Sequence, residues 1–248
     1  YLLKTTRTRL ILHHQDQLPT DQYTPLAELR QRRLAGEPIA YLTNTREFYG
    51  LDFYVDARVL VPRPESELLV ELALAAAQRL NVTTVADICT GSGCIAMAIA
   101  HTAPQLTVIA TDISADALAV ADINRAALNL TQRVHLVRAD LCTPLTPIPI
   151  IVSNPPYTLL HDIDANVRDF EPHLALAGGD TDGASFYRTF AQLLPYHLAK
   201  PGFFACEIDP RQADIVTQLL QNALPNGTIT RHHDLTGHVR VIAVDISL

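Results

Sequence analysis

Asn154-Pro155-Pro156-Tyr157 is the stretch of this chain best equipped for chemistry. It follows the apolar run Ile148 to Val152, which reads as a buried strand. Two consecutive prolines forbid a helix and remove two backbone donors. The residue before them is pushed into an extended conformation. The result is a stiff loop with one amide side chain, several free carbonyls and an aromatic face. Such a loop can hold a planar NH2 group: the Asn154 oxygen and the Pro155 carbonyl accept its two hydrogens, while the Tyr157 ring packs on its plane. The plainer alternative is a proline-rich turn that ends a strand.

A second motif argues against that alternative. In Val85-Ala86-Asp87-Ile88-Cys89-Thr90-Gly91-Ser92-Gly93-Cys94-Ile95-Ala96, an apolar run ends in an acid, a glycine turn follows, and a helical pattern runs from Cys94 to His101. Strand, glycine turn and helix make a nucleotide-type cradle, because glycine lets the backbone approach a ligand closely. The spacing fits the looser dinucleotide fingerprint and leaves both NAD and S-adenosylmethionine open. Asp112 ends the next apolar run, Leu106 to Ala110, where a carboxylate can accept both hydroxyls of a ribose. It could equally serve as a cap or first-turn acid for the helix that follows. A third run, Val134 to Arg138, ends at Ala139-Asp140-Leu141. There Asp140 can meet an adenine amino group and Leu141 can cover the ring.

Elements that could position these residues are legible. From Glu65 onward, strands and helices alternate, which argues for an α/β fold with a parallel sheet covered on both faces. Strands are expected near 84–89, 106–111, 133–138, 148–153, 202–208, 226–232 and 239–246, and helices near 66–80, 93–102, 115–129, 183–198 and 210–223. Residues 1–45 read as helical, with a partial stripe through Leu26, Leu29 and Leu34. Residues 46–60 read as a β-hairpin around Gly50. Residues 159–170 read as an irregular, acidic, mobile lid over the substrate, with a plain surface loop as the alternative.

Composition excludes several classes. The 248 residues suit one large domain with or without a small one, and the 48% hydrophobic content is ample for a core. A net charge of −7, from 26 acids against 19 bases, disfavours a grip on a nucleic-acid backbone. The one dense basic cluster, Arg30, Arg32 and Arg33, reads as a solvated helix face. Cys89, Cys94, Cys142 and Cys206 show no metal or disulfide spacing and read as reduced thiols of a cytosolic protein. Cys89 lacks a basic partner nearby in sequence, against a nucleophile role. His232-His233-Asp234 with His238 matches no zinc spacing and reads as a turn. No apolar run reaches the roughly 20 residues of a membrane span, and no signal peptide is visible. The chain starts at Tyr1 and its one methionine is Met97, so a longer natural N terminus is expected.

Taken in order, Asp87 to Gly93, Asp112, Asp140-Leu141 and Asn154 to Tyr157 resemble the class I S-adenosylmethionine-dependent methyltransferases that methylate amino groups. Ala35 to Leu42, Val61 to Glu67, Phe170-Glu171-Pro172 to Leu176, Gly178-Gly179-Asp180 and Asp182-Gly183 narrow this: the chain resembles the PrmC/HemK family from about Leu34 to Val244. Those enzymes methylate the glutamine of a Gly-Gly-Gln motif in peptide chain release factors. The resemblance implies a Rossmann-like seven-stranded sheet whose seventh strand is antiparallel. It divides the chain into a truncated N-terminal helical domain at 1–45, a hairpin linker at 46–64 and a methyltransferase domain at 65–248. It implies S-adenosylmethionine held by Asp87, Cys89, Thr90, Gly91, Ser92, Gly93, Asp112, Asp140, Leu141 and Asn154. The substrate amide then lies on Asn154, Pro155, Pro156 and Tyr157, with Asn154, Pro155 and Tyr157 catalytic and no metal. It further implies a cytoplasmic monomer without stable nucleic-acid or membrane partners. Cys89 stands where the family often has glycine, and Pro147-Ile148-Pro149-Ile150 replaces its usual aromatic and acid. The wording from Cys89 to Cys94 is similar to the sister family PrmB, which modifies a ribosomal protein, so that substrate is one alternative. Adenine in nucleic acid is another, since its exocyclic NH2 presents the same donors.

Overall fold

Alternation along the central strands sets the architecture. Val85, Ile150, Phe203 and Ala243 bury into one core cluster, while their neighbours Ala86, Ile151, Phe204 and Ile242 bury into another. A strand whose successive side chains are apolar on both sides needs cover on both faces. The computed structural model describes residues 2–179 and 181–247. Asp180, named above with Gly178 and Gly179, lies outside the described residues, as does Tyr1.

The chain opens with helices α1 (Arg7–Leu12), α2 (Tyr23–Leu34) and α3 (Ile39–Thr43) and the hairpin β1 (Arg46–Phe48) and β2 (Leu51–Phe53). It continues with α4 (Glu67–Leu80), β3 (Thr84–Ile88), α5 (Cys94–Thr102), β4 (Thr107–Asp112), α6 (Ala115–Ala127), β5 (Val134–Arg138) and β6 (Ile148–Ser153). Then follow α7 (Ala165–Phe170), α8 (Ser185–His197), β7 (Leu198–Glu207), α9 (Ala213–Ala223), β8 (Thr228–His233) and β9 (Val239–Ile246). The main sheet has the order β5-β4-β3-β6-β7-β9-β8. All pairs are parallel except those of β9 with β7 and β8, so the expected antiparallel seventh strand is present. The chain runs outward from β3 to β5, then crosses back to β6 on the other side of β3. That reversal opens a crevice beyond the carboxyl ends of β3 and β6, where open α/β sheets take ligands.

Two segments join this sheet more tightly than a linker would. Tyr49 and Gly50 have φ of 52° and 74°, the left-handed pair a two-residue hairpin turn requires. The hairpin then buries Phe48 and Phe53 edge to face, 6.2 Å apart, in the same cluster as α4 and α5. Tyr41 of α3 packs with Val55, Val59 and Val61 against Ala117 and Val120 of α6, and its hydroxyl donates to the Val59 carbonyl at 2.5 Å.

Three expectations need correction. Residues 159–170 are not irregular throughout: a single 3-10 turn at 160–162 precedes α7. Its last residue, Phe170, packs on the Tyr41 cluster, which gives an acidic segment an apolar anchor. β7 begins at Leu198, not 202, because Leu198 pairs with Ile148 and is buried. The expected helix at 210–223 opens as a 3-10 turn, Pro210–Gln212, capped by Asp209, before α9.

Candidate active site

β3 ends at Ile88, and the chain turns sharply through Cys89 to Gly93 before α5. Gly93 has φ 81°, and a methyl in place of its hydrogen would lie 2.5 Å from Met97 Cε. Glycine is therefore required there for its backbone angle, while the Met97 terminus would have to shift for a larger residue. Asp87 is fully buried and shapes this turn: its Oδ2 accepts from Thr90 Oγ1 at 2.6 Å and from Ala96 N at 3.1 Å. Its Oδ1 has no partner among the described residues. Burial pushes the Asp87 carboxyl up to about 7, against the pull of those two hydrogen bonds.

Beside the turn lies a cavity of about 250 Å³. It brings together Cys89, Thr90, Gly91, Ser92, Asp112, Asp140, Leu141, Asn154 and Pro156, from the ends of four strands. Asp87 and Gly93 stand behind its wall rather than on it. Asp112 accepts from Gly91 N through Oδ2 and from Ser114 N through Oδ1, each at 2.9 Å. Each carboxylate oxygen has two lone pairs, so acceptor capacity remains for a ligand. Burial raises the Asp112 carboxyl, and the backbone N–H groups of Ser114, Gly91 and Ile113 lower it. Leu141 has φ 51°, a left-handed turn held by the Thr111 hydroxyl on its carbonyl at 3.0 Å. A glycine turn open at Gly91, a carboxylate and an apolar wall of Leu141, Ile95 and Ile113 fit an adenosine moiety.

Cys89, also left-handed at φ 62°, is half-buried on this wall. Burial first, then the Asp112 charge, raises its thiol, which suits an inert lining residue and not a nucleophile. The turn at Asp234 is a structural one: its Oδ1 accepts from Thr236 N, Thr236 Oγ1 and His238 N. No metal-holding group of His, Cys, Asp and Glu occurs among the described residues.

A second cavity of about 150 Å³ is lined by Pro155, Tyr157, Thr158, Ile163, Val167 and Leu176. Asn154, Leu60, Arg63 and Ala175 line both cavities. Asn154 therefore stands where the two adjoin. The loop carrying it is held from beneath. Gln212 Nε2 donates to the Tyr157 carbonyl at 3.0 Å and to the Asp182 carbonyl at 2.9 Å. A methyl on Gly178 would lie 2.7 Å from the Tyr157 carbonyl carbon and one on Gly183 closer still to its oxygen, so both glycines are pressed against the loop backbone.

The partners of the loop side chains were absent from the sequence reading. Asn154 Nδ2 donates to Ser66 Oγ at 2.9 Å. Ser66 Oγ donates to Glu207 Oε2 at 2.5 Å, and Tyr157 Oη donates to Glu207 Oε1 at 2.8 Å. Ser66 and Glu207 are almost wholly buried, at 2% and 1% exposure. Burial raises the Glu207 carboxyl, while the two hydroxyls and the Arg240 charge lower it. Tyr157 is raised well above its ordinary value by burial and by Glu207, so it stays a neutral phenol. Asn124 is a further missed residue: its Nδ2 donates to the Ser92 carbonyl at 2.9 Å and to the Tyr54 carbonyl at 3.0 Å, tying the glycine turn to the hairpin exit. A buried acid at a strand end, Glu207, was the available signal; Ser66 carried none.

The methyltransferase small domain family matches residues 64–169, and the PrmC N-terminal domain family matches residues 1–43. A release factor glutamine methyltransferase of Clostridium acetobutylicum is 39% identical over 232 residues, covering 90% of this chain and 80% of that one. One from Streptococcus pneumoniae is 37% identical over 243 residues, covering 96% and 86%. Among solved structures, a methyltransferase from Pyrococcus furiosus is similar in fold, with TM-score 0.59 and 16% identity over 90% of this chain and 100% of that one.

Proposed function

The chain belongs to the release factor glutamine methyltransferase family, and on that premise we propose that it methylates the side-chain amide nitrogen of the glutamine in the Gly-Gly-Gln motif of peptide chain release factors, with S-adenosylmethionine as donor. The observation that carries this reading is the place of Asn154 on the shared wall of two cavities. A donor in the larger cavity and a slim side chain in the smaller would meet at that residue.

When bound, the cofactor supplies an electrophilic methyl on a sulfonium. Asp112 would take its ribose hydroxyls, Leu141 and Asp140 its adenine, and the turn from Cys89 to Ser92 its remaining polar groups. Gly93 and Asp87 support that turn. The chain's own part in the chemistry is orientation. An amide nitrogen is a poor nucleophile because its lone pair is delocalised into the carbonyl. Asn154 Oδ1 and the Pro155 carbonyl accept the two amide hydrogens, which aims the lone pair and favours a pyramidal nitrogen. Tyr157 and Pro156 supply flat walls for the amide. The amide nitrogen held in this way would be presented to the donor's methyl, and water would take the proton it sheds once methylated. The gain is near-attack geometry and charge redistribution matched to the transition state.

The test is transfer of labelled methyl into purified release factor and purified ribosomal protein side by side. One added methyl on the Gly-Gly-Gln glutamine is expected by mass spectrometry. Label in the ribosomal protein alone, or in DNA alone, would overturn the reading.

A further inference from the structure

Asn154 can face a substrate amide in two ways. With Oδ1 forward it accepts the amide hydrogens; with Nδ2 forward it opposes donor to donor. On the function proposed above, only the first is productive, yet nothing in the loop itself chooses between them. The choice is made by residues distant in sequence. Glu207 is the last residue of β7, and β7 runs parallel to β6 with Cys206 opposite Ser153, so Glu207 comes alongside Asn154. Ser66 arrives from the other direction, at the end of the 3-10 turn Pro64–Ser66 ahead of α4.

We infer that Ser66 and Glu207 are positioning residues that set the orientation of the Asn154 amide through a one-way chain of hydrogen bonds. Both Glu207 oxygens accept, Oε2 taking the single hydrogen of Ser66 and Oε1 that of Tyr157. With its hydrogen committed, Ser66 Oγ can only accept from Asn154, and the group that offers itself there is Nδ2. Oδ1 is left facing away from Ser66, with no donor bonded to it among the described residues. The same carboxylate anchors Tyr157, so one buried acid fixes both polar side chains of the loop. Desolvation strengthens this arrangement, because a buried hydroxyl with no acceptor is costly.

Three variants and one spectroscopic signal test it. Ser66→Ala should lower the single-turnover rate at saturating cofactor and release factor by at least tenfold. The cofactor Kd and the substrate KM should stay within threefold. Ser66→Cys, which keeps the volume but accepts weakly, should also be slow, and Ser66→Thr, which keeps the hydroxyl, should recover most of the rate. In cofactor-free wild-type protein, the side-chain NH2 of Asn154, assigned by its loss in Asn154→Asp, should show one proton protected from solvent exchange. A Ser66→Ala rate within threefold of wild type would overturn the inference. So would equal losses in the alanine and threonine variants, or free exchange of both Asn154 protons in the wild type. The exchange measurement needs no substrate, so it decides the inference even if no release factor is methylated and the proposed function fails.

Discussion

Arg63 Nη2 donates to Glu171 Oε1 at 2.5 Å, across 108 residues of chain, while Glu171 Oε2 accepts from Val61 N at 2.9 Å. The first segment leads from the hairpin into α4; the second is the C-cap of α7, above the smaller cavity. The Glu171 side chain is 2% exposed and that of Arg63 is 36% exposed, so one carboxylate is desolvated while its cationic partner keeps part of its hydration. This pair ties the end of α7 to the rim of the site.

Glu171→Ala should therefore loosen α7 before it damages the core. Losing charge-assisted hydrogen bonds of this kind costs roughly 1.5–3 kcal/mol each, discounted here for the exposed guanidinium. Hydrogen exchange across 165–170 should accelerate and the substrate KM should rise. Exchange there that matches the wild type would show that Phe170 alone holds α7.

On the proposed function, Asn154→Ala removes the acceptor that would align the nucleophile. Single-turnover methyl transfer should fall about 100-fold or more, roughly 2.7 kcal/mol of barrier. Cofactor affinity should change little, because the glycine turn and Asp112 remain. Asn154→Asp should also be slow: it keeps size and an acceptor but puts a charge where the donor cation would be bound, which favours the ground state. Near-normal turnover in the alanine variant would return this loop to the status of a structural turn.

Asp112→Ala should weaken S-adenosylmethionine binding by roughly 1.5–3 kcal/mol, the scale for hydrogen bonds to a charged acceptor. Calorimetry reads this directly, with NAD expected to give no heat. An unchanged affinity would remove Asp112 from the ribose site.

Asp87 makes a pH prediction. Its carboxyl stands near 7 when folded, against an ordinary 3.8. The folded state therefore holds a proton between those values that the unfolded state has released. Stability is full below the lower value and declines as pH rises through the upper one, with a slope of at most about 1.4 kcal/mol per pH unit from this group. Denaturant unfolding of cofactor-free protein from pH 4.5 to 7.5 should show that decline in wild type and a flatter profile in Asp87→Asn. Parallel profiles would mean that Asp87 is ionised throughout.

Local signals in the chain were enough for the parallel sheet, the glycine turn and the proline loop. Each depends on near neighbours: short apolar runs alternating with helical segments, the φ freedom of Gly93, the missing donors of Pro155 and Pro156. They named Cys89 to Ser92, Asp112, Asp140, Leu141 and Asn154, and the fold gathers all of these on one cavity. Tertiary structure alone decided what lies behind them. Ser66 is one serine among several in the sequence, and nothing local shows that it meets Asn154, 88 positions away, or Glu207, 141 positions away. The same holds for Asn124 beneath the glycine turn and Gln212 beneath the loop. α7 went unread because its helix is held by Phe170 and Glu171 against distant partners and not by its own periodicity. Hydrogen bonds between buried polar groups form wherever the packed backbone brings donor to acceptor, so they leave no pattern until the strands have taken their order.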